Sequence, residues 1–65
     1  MFGNLYKEIK LKGITQVEIC KHLGLTPHGF NKKIRGESDF TSQEMFEIQR
    51  VYFPDKTLEY LFSKD

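Results

Sequence analysis

Between Leu25 and Gly36 the chain places His28, Asn31, Lys32, Lys33 and Arg35, and no acidic residue. These side chains are cations and hydrogen-bond donors. They form the set that neutralises phosphate oxygens and donates to the acceptor edges of bases. Lys32 follows His28 by four residues, so on a helix the two share a face. A lysine there fits guanine N7 or O6, and the Asn31 amide fits adenine or a phosphate. Lys33 and Arg35 lie toward the flanks of that face and suit phosphate contacts. Beside this reading stands a plain one, an ordinary solvated cationic face. Other chemistry has no constellation to carry it. Cys20 and His22 are two residues apart and diverge on a helix. No His or Cys pair has zinc spacing, and there is no glycine-rich phosphate loop. The expectation is no enzyme, no metal, no cofactor and no small-molecule substrate.

The elements that must hold this face are marked by caps. Thr15 with Glu18 three residues on is a capping box that opens one helix. Ile19 and Leu23 give that helix an apolar stripe. Gly24 suits a left-handed stop, and Leu25 anchors the turn. Thr26 then caps a second helix, with Pro27 in its first position. Phe30 and Ile34 bury it, and Gly36 ends it. The spacing predicts two short helices over 15–36 joined by a tight turn, the second running about 26–35. Gly29 costs ~1 kcal/mol against alanine inside a helix, which fits either a close approach of the backbone to another body or avoidance of a clash with the first of the two helices. Cys20 is the small residue where the two helices meet.

This stretch resembles the helix-turn-helix of the phage lambda repressor-like family, the Cro and CI-type repressors. Gln16, Glu18, Ile19, Cys20, Leu23, Gly24, Leu25, Thr26 and Phe30 carry the match. The ending Lys33-Ile34-Arg35-Gly36, followed by Asp39-Phe40-Thr41, also resembles small prophage regulators of Gram-positive bacteria. One position departs: many members have an apolar residue where Lys33 stands. The resemblance implies a transcriptional regulator that occupies a double-stranded DNA operator. It implies base contacts near the start of the second motif helix, which here means Thr26, Pro27, His28, Asn31 and Lys32. It also implies a phosphate clamp at Gln16, beside the phosphate contacts of Lys33 and Arg35. A homodimer is implied too.

The rest of the chain fits one small all-α domain of five helices. A first helix is expected over about Gly3 to Lys12, buried through Leu5, Ile9 and Tyr6. Lys10 and Lys12 stay outside, beside a phosphate path. Phe40 plugs the core from a polar loop. Thr41 and Glu44 form a second capping box and open a helix to about Tyr52, with Met45, Ile48 and Tyr52 at helical spacing. Pro54 breaks it, and a last helix covers Thr57 to Ser63. Tyr52, Phe53, Tyr60 and Phe62 exceed what a helix end needs and are the residues expected to reach a second copy.

Net charge is +1 in 65 residues, yet it is unevenly spread. Residues 1–36 carry seven Lys or Arg against two Glu, and residues 37–65 carry three against seven Asp or Glu. Asymmetry of this kind points to an anionic partner on one side. A lone cysteine, no apolar run near the ~20 residues of a membrane span and no signal-like start lead to a cytoplasmic expectation. The bland alternative in function is a protein-interaction module of the same fold.

Overall fold

The computed structural model describes residues 1–64 and contains five helices and no strand among them. They are α1 (Gly3–Lys12), α2 (Gln16–Leu23), α3 (Pro27–Ile34), α4 (Ser42–Tyr52) and α5 (Leu58–Leu61). Each boundary has a local cause. Thr15, Thr26, Thr41 and Thr57 all have extended backbone, and each hydroxyl accepts the N–H three residues on. That satisfies one of the donors a helix start leaves orphaned. At Thr41 the capping box is complete, with Glu44 Oε1 accepting the Thr41 N–H at 2.9 Å. The turn after α2 depends on Gly24, whose φ of +72° is left-handed and costs a glycine nothing. Leu25 N–H then bonds back to the Cys20 carbonyl. The last helix is shorter than the spacing implied, because Phe62 has left helical geometry.

The core takes one stripe from every helix. Leu5, Ile9, Ile19, Cys20, Phe30, Ile34, Ile48 and Leu61 are buried, joined by Phe2, Phe40 and Phe53 from outside the helices. Phe40 enters from the loop as expected and touches three rings edge-on. Phe2, Phe30 and Phe62 lie 5.4, 5.9 and 5.3 Å from it, a geometry aromatic quadrupoles favour. Two readings change. Tyr6 is an exposed residue, since it sits beside the Leu5–Ile9 stripe and stacks under the Lys10 ammonium instead. Phe53 is fully buried at the end of α4, so it is a core residue and unavailable to a second copy.

Tyr60 also has other work. Its O–H donates to Glu8 Oε2 at 2.7 Å, and its carbonyl accepts from the Asn4 amide at 2.9 Å. This clasp holds α5, a single turn of helix, against α1. Among the described residues Glu8 is the one charged side chain in the core. Tyr60→Phe therefore leaves a buried carboxylate without its donor, at ~1–3 kcal/mol. A lowered melting midpoint is expected, whereas replacement of exposed Tyr6 by Phe leaves it in place. Equal midpoints for the two variants would refute the clasp. Tyr52 is half-buried, its ring edge-on to His22, and Phe62 packs on Phe2 and Phe40. Large apolar side chains do reach solvent, but elsewhere: Leu11 is 73% exposed and Phe46 57%. No helix among the described residues is long and apolar enough to cross a membrane.

Candidate nucleic-acid interface

Helix α3 stands with one side sunk and the other open. Phe30 and Ile34 fasten its inner side to the core. At about 100° per residue Lys32 points directly away from them, with His28 about 40° from it. Thr26, Pro27, His28, Asn31 and Arg35 are exposed and Lys32 is half-exposed. The side chains of His28, Asn31 and Lys32 form no hydrogen bond or ion pair among the described residues, so their donors are unspent. The helix end is fixed as well. The Lys32 carbonyl accepts from both Glu37 and Ser38, at 2.9 and 3.3 Å, which folds the following loop against α3.

Thr26 is tied into this end by its cap. Gly29 N–H donates to its hydroxyl oxygen at 3.0 Å, and a Cβ on Gly29 would lie 3.1 Å from that same atom. The glycine thus has a packing reason at the start of α3. The Thr26 hydroxyl proton stays available to an acceptor outside. Thr26→Ala is expected to cost ~1 kcal/mol of stability, and Thr26→Ser much less. A thermal melt in which the two variants behave alike would show that the cap contributes nothing.

The four-residue step from Ile34 back to Phe30 leaves Lys33 off the open face, and there the structure corrects the sequence reading. Lys33 Nζ is 2.7 Å from Glu44 Oε1, both side chains only 15% exposed, and it lies over the Phe40 ring. Lys33 is an internal tie from α3 to α4, already neutralised, and no free phosphate hand. Arg35 pairs with Glu37 at 2.9 Å, but half-exposed, where an ion pair is worth little and is readily exchanged. Gln16 stands in the first turn of α2, its amide unspent among the described residues. Lys12 also leaves the phosphate path. It donates to the Tyr52 carbonyl at 2.6 Å and covers the Phe53 ring, so a cation from α1 closes the end of α4.

No family model, curated protein or solved structure matches the chain.

What distinguishes the surface is therefore its own charge accounting. Lys33, Arg35, Arg50, Lys56 and Lys64 have carboxylate partners. The lysines without an acidic partner among the described residues are Lys7, Lys10, Lys12, Lys21 and Lys32, all on α1 to α3. Most carboxylates of the second half are spent on cations. Pairing removes cations and carboxylates in equal number, so the balance stays at +1, but the lysines left over all lie on α1 to α3.

Two acids hold α4 in place: Glu44, whose capping role the sequence displays, and Glu47, which sequence reading passed over. Glu47 accepts from His22 of α2 at 2.8 Å and from Arg50 at 2.9 and 3.1 Å. The His22 and Arg50 hydrogen bonds hold its carboxyl below the usual range. Glu44 is subject to opposite influences. Burial pushes its carboxyl up, but hydrogen bonds from Lys33 and Thr41 and the Lys33 charge outweigh it, and the net direction is down. A carboxyl lowered by folding stabilises the fold above its ordinary titration range, and that stability is lost as pH falls through the lowered value. Acid unfolding of Glu44→Gln is accordingly expected to be less steep than that of the parent. Parallel stability-versus-pH curves would remove Glu44 from the acid response. Between these acids, His22, Leu23, Thr41 and Gln43 border an open cleft. Cys20 is buried, and burial raises its thiol, which disfavours the reactive thiolate.

Proposed function

We propose that this chain is a sequence-specific double-stranded DNA-binding regulator, with α2 and α3 as a lambda repressor-like helix-turn-helix and α3 as the helix that enters the major groove. The observation that carries the reading is the open face of α3. A short helix, buried on one side and capped at its start, offers His28, Asn31 and Lys32 with unspent donors and no acid among them. A helix of this size fits the ~12 Å major groove. Lys32 and His28 read bases at the centre, Thr26, Pro27 and Asn31 contribute at the near end, and Gln16 and Arg35 bind phosphates at the sides. Occupying an operator in a phage or prophage and excluding polymerase is the regulatory role the resemblance suggests. A second copy belongs to the proposal, because a two-fold pair would set two reading helices ~34 Å apart along one face of the duplex. Selection of bound duplexes from a random pool tests it. An enriched inverted repeat with half-sites about ten base pairs apart, bound with log affinity falling linearly in log salt, is the expected result.

One observation favours a second reading, a protein-interaction module. Phe46 and Leu11 are large, apolar and open to solvent, which suits a protein partner. Absence of any selected sequence, together with salt-independent affinity for a protein ligand, would favour it.

A further inference from the structure

Lys33 and Glu44 form the one hydrogen-bonded tie between α3 and α4 among the described residues. We propose that Glu44 is a positioning residue for the reading face: by holding Lys33 it fixes the rotation of α3 on the core, and so sets sequence discrimination. The inference rests on the DNA-binding reading for its consequence, though the tie itself does not.

Three features make the tie directional. Glu44 is itself immobilised, because its carboxylate also accepts the Thr41 N–H at the start of α4. The bond is short and largely shielded from water, where a charge-assisted hydrogen bond is stronger than at the surface. Lys33 also lies over the Phe40 ring, so the lysine is held from a second side. The buried stripe of α3 is Phe30 and Ile34 along one line, with the Phe2 N–H bonded to the Ile34 carbonyl at 2.8 Å at its far end. Such a line resists translation better than rotation about the helix axis. Lys33 sits about 100° from Lys32 around that axis, where a fixed tether prevents the turning that the stripe permits. A small turn would carry His28 and Lys32 off their base edges together.

The opposite assignment, in which Lys33 binds phosphate, makes the reverse prediction, and the two can be separated. Glu44→Gln keeps the cap on Thr41 but removes the charge that holds Lys33. Lys33→Met removes the other half. In each single variant, amide exchange in α3 is expected to accelerate roughly tenfold and clearly more than in α1 and α5, and the double variant is expected to show no more than either single one. On the selected duplex, Glu44→Gln is expected to lose about tenfold in the ratio of specific to non-specific affinity. Its salt slope should steepen by about 0.9, as Lys33 is freed for one phosphate. Lys33→Met should lose the ratio with no steeper slope. Exchange that accelerates evenly across all helices, or effects that add in the double variant, would overturn the proposal. So would an unchanged specificity ratio on a duplex that the parent reads. If the parent selects no duplex, the DNA reading falls, while the helix-by-helix exchange still decides whether the tie positions α3.

Discussion

Phe30→Ala is expected to leave the protein largely unfolded at room temperature. Phe30 is fully buried in α3 and meets the Phe40 ring edge-on. Removing it takes away the larger of the two buried side chains that anchor α3, and it opens a cavity beside the aromatic cluster. Truncations of this kind cost ~3–5 kcal/mol. A domain of this length has, at ~0.05–0.15 kcal/mol per residue, only some 3–10 kcal/mol in total. Helical circular dichroism at 25 °C should fall toward that of a coil, and duplex binding should vanish with it. Phe30→Leu fills most of the space and should keep the fold with a lowered midpoint. A Phe30→Ala protein that melts within a few degrees of the parent would mean that the core closes without this ring.

Lys32→Ala is the second large effect, and its signature is selective. The side chain points away from the core and has no acidic partner among the described residues, so stability should hardly change. Binding to the selected duplex should weaken by ~1–3 kcal/mol, with preference relaxed at one base position. Arg35→Ala is the contrasting variant. Its expected effect is a uniform loss on every sequence, with the salt slope reduced by about one, and a modest one because Glu37 already occupies the guanidinium. If Lys32→Ala weakens all duplexes equally, Lys32 contacts phosphate and base reading passes to His28 and Asn31.

Much of the architecture is written in local signals. Threonines at 15, 26, 41 and 57 each precede a helix, and Gly24 marks the turn. Periods of three and four residues pick out Leu5, Ile9, Ile19, Phe30, Ile34 and Ile48. These features depend on neighbours a few residues apart, which a sequence displays. Partners across helices are not displayed in that way. Lys33 and Glu44 are eleven residues apart, Lys12 and Tyr52 forty. Nothing in composition says that one lysine of the cationic run is spent on an acid while the next is free. Phe53 misled for a related reason. Phe46 and Phe53 are equally apolar, yet Phe46 lies two residues from buried Ile48 and faces outward. Phe53 lies past the helix end, where the chain turns inward. The open face of α3 was legible because its definition needs only the stripe opposite it.

The ring-on-ring contact of Phe2 with Phe62, 5.9 Å apart, also dictates when this protein becomes a protein. The two residues are separated by nearly the whole sequence, so the core closes only after α5 has been made. A nascent chain that has reached α4 carries complete caps and turns but leaves Phe2 and Phe40 without one of their shared neighbours. Local helices form early and the aromatic cluster comes late, so α3 gains its final seat only once α5 has been made. A ribosome-stalled series shortened from the far end should therefore stay protease-sensitive until Leu61 and Phe62 emerge, then become resistant in one step.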